Sequence, residues 1–459
     1  MTEPLYKIAT ELQCPLPDRD FVISSFSIDS RTLVAGALFF AVKGEHTDGH
    51  FFIAEAAARG AVAAVVQKSY SGLHPIPLLP VTCPVQALQQ LARQKIHEIN
   101  PVVVAVTGSV GKTTTKGFIH TLLRPYRRVS SSAGNSNSQL GLPLAIANEL
   151  QPEDEVMVLE MGMSQATEIA LLVNIAPPDI AVVTAVELAH AENFSSLEAI
   201  AYAKAEILSH PRTKLAILSR DIRPFPLLFD HGSCKKISFS ALENAQQADA
   251  RIFMTPQGGM KVEWAKEVVQ LPSLPVIGRH NRHNFLAAAL VARSLAITWE
   301  EIARQLPHLS TEKKRLEKAI IDGVLFIDDS YNACEASVKA ALDACPAPLL
   351  PQGRRIAVLG DMLELGSFSH HCHCAVGDYA LSRVDLLFCC GKQAKVIWEQ
   401  WRKARRHAFW FDTLAPLIQL LHRLLLPGDV VLVKGSHGKQ LWQLIDFFRD
   451  RELYKQEKL

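Results

Sequence analysis

Thr107-Gly108-Ser109-Val110-Gly111-Lys112-Thr113 is the stretch on which the reading of this chain turns. An apolar run at 102–106 precedes it, and the pattern of 114–123 is that of a helix. A buried strand entering a glycine turn and then a helix N-terminus is a ready anion site. Backbone N–H groups converge there and the helix dipole favours negative charge. Lys112 adds a point charge for terminal phosphates, and the Thr113 hydroxyl suits Mg²⁺. The standard phosphate-loop spacing places a glycine where Val106 stands, so this is a shortened variant.

Length and composition bound the rest. A chain of 459 residues accommodates about three domains of ordinary size. With 48% hydrophobic and 20% charged residues it reads as a soluble globular protein with ample core. A net charge of +2 gives no reason to expect a nucleic-acid or membrane surface. No apolar run approaches the ~18 residues of a spanning helix. Met1-Thr2-Glu3-Pro4 lacks the basic and then apolar pattern of a signal peptide. Nine cysteines, an odd number without regular spacing, argue against a disulfide framework. The cytoplasm, which also supplies ATP, is the expected compartment, and a monomer the expected working unit.

Three α/β units are expected, over 1–100, 101–309 and 310–459. In the first, short apolar runs alternate with turns, and an alanine-rich helix spans 53–59. Asp29-Ser30-Arg31, Lys43-Gly44-Glu45 and Asp48-Gly49-His50 place small polar residues and an Arg beside glycine turns. That suits a nucleotide diphosphate or sugar phosphate, although the residues taken alone read more readily as solvated loops. The second unit begins with the phosphate loop. Residues 130–143, with Asn135 and Asn137, read as a long polar loop. Glu160 ends an apolar strand at 156–159, where a Mg²⁺ ligand would sit. A strand at 179–184 leads to a loop with His190, and the helix at 197–209 carries Lys204 and Glu206. Short strands fill 233–278, with Gly258-Gly259 as a hairpin turn. Asn281 and its neighbours open a helix over 284–295 and serve either as caps or as base or ribose contacts.

Past Pro307 the chain becomes a regular βα alternation, with strands at 324–327, 356–359, 386–389, 408–411 and 430–433. A parallel doubly wound, Rossmann-like unit follows. No Gly-x-Gly-x-x-Gly stands after a strand, so dinucleotide binding is unsupported. Polar clusters follow the strands instead: Asp328-Asp329-Ser330-Tyr331-Asn332, Gly360-Asp361-Met362-Leu363-Glu364-Leu365-Gly366 and Lys434-Gly435-Ser436. Ligands of open sheets bind at such carboxyl ends. His370-His371-Cys372-His373-Cys374 fits no usual zinc spacing and reads as a solvated helix start.

Together these motifs resemble the Mur ligases, the ATP-dependent amide-forming enzymes of peptidoglycan precursor synthesis, over nearly the whole chain. The 107–113 stretch is similar to their phosphate loop and 278–284 to their adenine-side G-x-H-N-x-x-N. Leu159-Glu160-Met161-Gly162, Asp329-Ser330-Tyr331-Asn332-Ala333 and Gly360-Asp361-Met362-x-Glu364-Leu365-Gly366 are similar to the dipeptide-adding branch. The resemblance implies UDP-N-acetylmuramoyl-tripeptide and D-alanyl-D-alanine as substrates, with ATP and two Mg²⁺ as cofactors. It implies nucleotide contacts from Gly108, Ser109, Val110, Gly111, Lys112, Thr113 and Thr114, with Asn281 and Asn284 near adenine. Arg315 and Asp329 would face the nucleotide from the third domain. Thr113 and Glu160 would hold the first ion; His190 and a carbamylated Lys204 the second. Asp29, Ser30 and Arg31 would lie near UDP, while Asn135, Asn137, Tyr331 and Asn332 would contact substrate. Lys313-Lys314-Arg315 replaces the family's Pro-Gly-Arg, and His437 stands where Arg is common. The competing readings are a ligase with another acceptor and a nucleotide-dependent switch ATPase.

Overall fold

The computed structural model describes residues 2–72, 74–189, 191–242 and 247–456. Three mainly parallel sheets, one in each unit, organise it, beside a two-stranded antiparallel pair near the N-terminus. In the first, Ser25–Ser27, Ala37–Phe40, Ala63–Gln67 and Leu78–Val81 pair in sequence order. Pro80 has no N–H to donate and lies on the edge strand, where it does least harm. Alternation along the strands buries both faces. Leu38, Phe40 and Val65 pack with the helices Leu5–Glu11 and Pro84–Ile99, while Phe39, Ala64 and Val66 pack with Ile53 and Ala56.

The second sheet holds nine strands. Its order is Glu267–Leu271, Met260–Trp264, Ala250–Met254, Lys235–Ser240, Leu215–Ser219, Ile180–Val183, Val102–Thr107, Val156–Glu160 and Val129–Ser131. The first two join by antiparallel pairing and the rest are parallel. Val102–Thr107 sits where the winding reverses, with Val156–Glu160 on one side and Ile180–Val183 on the other. Such a switch point leaves a crevice outside the carboxyl ends of the strands. The helices Lys112–Leu123 and Arg279–Ser294 pack on each other over one face. Residues 130–143 are not all loop, because Val129–Ser131 adds an edge strand and a helix begins at Gly141. The helix after Gly278 starts at Arg279 and so includes Asn281 and Asn284.

Five parallel strands make up the third sheet, in the order Val324–Asp328, Val430–Lys434, Arg355–Gly360, Leu386–Cys390 and Ala408–Phe411. Glu317–Ile321 adds an antiparallel edge that the sequence reading missed. Only alternate residues of it face inward, and Ile320 is 66% exposed.

The first and second units are tied by polar bonds to the helix Gly141–Glu149. Lys95 Nζ donates to Ala147 O at 2.5 Å, and Asn148 bonds both the N–H and the C=O of Phe26 at 2.9 and 3.0 Å. The second and third meet where Glu192 N donates to Glu364 O at 3.1 Å and where Leu188 and Ile277 pack on the third core.

The solvated reading of 370–374 needs correction. His370 and His371 are exposed, but Cys372 and His373 are fully buried in the helix Ser369–Ala380. His373 Nε2 accepts from Met362 N at 3.1 Å and Nδ1 lies 2.7 Å from Ser369 O, which fixes the tautomer. The ring is a buried strut under the 360–366 loop. No metal-ligating cluster occurs among the described residues. His373→Ala should therefore strand a buried N–H and destabilise the protein by about 2 kcal/mol. Denaturant unfolding checks this, and a chelator should leave the wild-type midpoint unchanged.

Candidate active site between the second and third units

The phosphate loop is shaped by what presses on it. Gly108 has φ +152°, and a Cβ there would lie 2.0 Å from Thr184 Oγ1; Gly111 has φ +84°, and its Cβ would meet Asn284 Oδ1 at 2.5 Å. Only glycine tolerates both the conformation and the approach. Thr184 Oγ1 donates to Val110 O at 2.6 Å, Ser109 N donates to Ala185 O at 2.8 Å, and Ser109 Oγ bridges to the backbone of Glu187. The loop is thus strapped to the neighbouring strand before any ligand arrives. Lys112 curls back so that Nζ donates to Gly108 O at 2.8 Å. Burial lowers its pKa, and Arg315 adds to the drop against the pull of Glu160.

Glu160, 1% exposed, is the acid at the centre. Its Oε2 accepts from Thr113 Oγ1 at 2.8 Å and its Oε1 from Asn137 Nδ2 at 2.7 Å. Arg315 crosses from the third unit, its Nη2 donating to Thr113 Oγ1 at 2.9 Å. Its guanidinium lies 4.1 Å from the centroid of the Tyr331 ring, whose hydroxyl bonds Asn135. Lys434, itself buried, holds Asp329 Oδ2 at 2.5 Å and Asn332 O at 2.9 Å, while Asp329 Oδ1 accepts from Leu316 N. Asp329 therefore anchors the end of the linker that carries Arg315. Lys314 takes φ +63°, as a glycine would readily, and its Nζ lies 3.7 Å from the centroid of the Trp442 ring.

These groups line one cavity of about 710 Å³ between the carboxyl ends of the second and third sheets. Ser109 to Thr114, Asn135, Asn137, Glu160, Arg315, Asp329, Tyr331 and Asn332 all face it. Asn281, Asn284, His280, His283, Ser219 and Asp221 line it as well. Asn281 Nδ2 donates to Ile277 O at 2.7 Å and Asn284 Nδ2 lies 3.3 Å from Asn281 Oδ1, so the two amides are fixed at the start of the helix, with Asn284 pressed against Gly111 of the phosphate loop. His283 Nε2 meets Ser219 Oγ at 2.8 Å and its ring lies 4.6 Å from Phe239. Sequence reasoning missed Thr184, His283 and Asp221; Thr184 alone carried a signal, as the residue ending an apolar strand.

Lys204 lies behind the cavity wall rather than on it, 3% exposed. Burial, and then the charge of Lys112, holds its pKa well below the usual lysine value. His190, the expected partner of Lys204, lies outside the described residues. Asp29, Ser30 and Arg31 are not brought to this cavity. They form a turn in the first unit, where Arg31 binds Asp29 through Nε and Nη2 at 2.9 and 2.8 Å and pulls its pKa down to about 2. Ser30 Oγ bonds Glu55.

Three family profiles match the chain in succession. They are described as Mur ligase family, catalytic domain, over 22–96; Mur ligase middle domain, over 106–292; and Mur ligase, glutamate ligase domain, over 314–437. The UDP-N-acetylmuramoyl-tripeptide--D-alanyl-D-alanine ligase of Bacillus subtilis is 33% identical over 439 residues, which cover 92% of this chain and 93% of that protein. The chain belongs to the Mur ligase family. As a Mur ligase it is an ATP-dependent ligase enzyme. Its fold is that of MurF from Acinetobacter baumannii, with TM-score 0.84 and 28% identity over 98% of this chain and 99% of that one. MurF ligase from Thermotoga maritima in complex with ADP matches with TM-score 0.79 and 30% identity, over 94% and 98% of the two chains.

Two histidines that line the cavity couple folding to pH. Burial pushes His280 down to about 4 and lowers His283 as well, against the opposing charges of Asp329 and Asp221. Arg279, Arg282 and Lys434 oppose protonation too. Both rings are neutral in the folded protein at neutral pH, while in the unfolded chain they titrate near the ordinary 6.5. Unfolded chains therefore bind protons first as pH falls, and stability drops between about 6.5 and about 4. Urea unfolding should show a loss of about 3 kcal/mol for each ring over that window, and His283→Gln should lose less than wild type. Equal losses in both would refute the assignment.

Proposed function

We propose that this ligase joins D-alanyl-D-alanine to UDP-N-acetylmuramoyl-tripeptide, with ATP converted to ADP and phosphate, in the cytoplasm and as a monomer. One observation carries the reading. A single cavity collects the phosphate loop, the buried Glu160 and the strand-end groups of the third unit. The relatives bearing that activity in their names match over more than nine-tenths of both chains. Residues 1–100 would then receive the UDP substrate at Asp29, Ser30 and Arg31, 101–309 the ATP, and 310–459 the incoming dipeptide.

The chemistry is carboxylate activation. A tripeptide carboxylate oxygen bonds to the γ-phosphorus as the bond to the bridging oxygen breaks and ADP departs. The dipeptide amine then attacks the acyl carbon, phosphate leaves with the electron pair, and the amine gives up a proton. The first step brings two anions together, so fixed positive charge must meet them. Lys112 and the phosphate-loop N–H groups supply it from the second unit, Arg315 from the third. Thr113 and Glu160 present hard oxygen atoms 2.8 Å apart, with the Arg315 cation already on the same hydroxyl. That donor set fits Mg²⁺, which takes oxygen ligands and completes its shell with water and phosphate. When bound there, Mg²⁺ would neutralise phosphate charge. A second ion would rest on His190 and Lys204.

Lys204 fits that role only as a carbamate. As an ammonium it would repel both the ion and Lys112. Its lowered pKa supplies the neutral amine, which adds to the carbon of CO₂ and loses a proton to give an anionic oxygen ligand. A buried lysine kept for packing is the contrary case.

Two measurements test this reading. ADP release should require UDP-N-acetylmuramoyl-tripeptide and rise further with D-alanyl-D-alanine, giving the pentapeptide product by mass spectrometry. Turnover indifferent to both substrates would instead mark a switch ATPase. For Lys204, substitution by Ala should leave folding intact and cut ligation by at least about 100-fold. Added short carboxylates should restore part of the loss, whereas Lys204→Arg should stay inactive with them. Full activity of Lys204→Ala would end the carbamate assignment.

A further inference from the structure

Lys116 lies one turn beyond Lys112 on the helix Lys112–Leu123, and it is 2% exposed. Its ammonium donates to the carbonyl oxygens of Ser132 and Gly134, each at 2.5 Å. No carboxylate forms an ion pair with it among the described residues; Glu160, Glu312 and Arg315 act on it only at longer range. Burying a cation on neutral partners alone is expensive. Closing a polar loop does not by itself call for a charge, so the position of those two carbonyls is what needs an explanation.

They belong to the segment that leaves the edge strand Val129–Ser131 and runs on to Asn135 and Asn137. Past Ser131 the parallel ladder stops, and this segment is held to the sheet by few bonds. Ser132 N donates to Val158 O at 3.1 Å, Ser132 Oγ accepts from Glu160 N at 3.4 Å, and Asn137 O accepts from Gly162 N at 2.9 Å. Lys116 adds the link to the phosphate-loop helix. At the end of the segment, Asn137 Nδ2 donates to Glu160 Oε1 at 2.7 Å, and the other oxygen of that carboxylate accepts from Thr113 at 2.8 Å. The relay starts and ends on the same helix, three residues apart.

We propose that Lys116 is a positioning residue: by anchoring segment 132–137 to the phosphate-loop helix it sets Asn137, and through Asn137 the face that Glu160 turns toward Thr113. The inference rests on reading Thr113 and Glu160 as the Mg²⁺–nucleotide end of the site. Outer partners of this kind typically govern metal affinity by 10–100-fold, and the expected effects are of roughly that size.

Lys116→Met keeps the length and bulk of the stem and deletes the ammonium. Calorimetric titration of ADP into the protein, in MgCl₂ and separately in EDTA, reads the effect without turnover. Lys116→Met should weaken ADP binding about tenfold or more in MgCl₂ and leave it unchanged in EDTA. Asn137→Ala should do the same, and the double variant should be no worse than either single one, because both cut one relay. Lys116→Arg, which keeps two donors and the charge, should recover part of the loss. A purely structural lysine would instead lower the melting temperature and shift both titrations alike, or its loss would add to that of Asn137→Ala; either result overturns the proposal. Should Lys116→Met fail to fold, Asn137→Ala decides, and wild-type MgCl₂ dependence in that variant overturns it too. If the wild-type protein itself bound ADP equally in MgCl₂ and EDTA, the reading of Thr113 and Glu160 would fall, and the relay with it.

Discussion

The close approach of Thr184 and Asn284 to the phosphate loop is the constraint on which the rest of this structure depends. There is no room for a Cβ at Gly108 or Gly111, with neighbours that would stand 2.0 and 2.5 Å away. That intimacy follows from the sheet order. Val102–Thr107 and Ile180–Val183 run side by side in register, Thr107 opposite Val183, so Thr184 arrives beside the turn. The helix Arg279–Ser294 must then cross the helix Lys112–Leu123 closely enough to deliver Asn284. Its run of alanines at 287–289 lets the backbones approach. The anion cradle is thus built by packing of the sheet and of two helices, before any ligand contributes.

Charge is the second theme. Lys112, Lys116 and Arg315 gather around one central carboxylate, Glu160, and Lys204 lies within the field of Lys112, in a largely buried setting. Burial lowers all three lysine pKa values, which is the mark of cations held short of counter-charge. A protein selected for stability alone would not keep such a cluster. It is suited to anions of high charge density, and it explains why the groups that touch it are braced by backbone carbonyls.

Much of this was legible in the sequence, for physical reasons that differ from place to place. The strand, glycine turn and helix of the phosphate loop announce themselves by local pattern, as does Glu160 at the end of an apolar strand. The five parallel strands of the third unit are short apolar runs separated by helical stretches, so period and length suffice. The bracing roles of Asn284 and Lys116 were not legible, because each depends on a partner that only the tertiary fold brings near. The edge strand Glu317–Ile321 is short and half exposed, and it lacks the apolar run that marks the others. His373 was misread since neighbouring exposed histidines made its stretch look uniformly polar, while the helix turns that one ring inward.

Arg315 meets Thr113 from 202 positions further along the chain. During synthesis, therefore, the phosphate loop and its strand leave the ribosome long before the far wall of their cavity exists. Units generally fold in order from the N-terminus as they emerge. A nascent chain that has reached only the second unit holds a cradle open to solvent, with Thr113 lacking its guanidinium partner. The order of translation thus delays closure of the cavity until the unit that carries Arg315 has also been made.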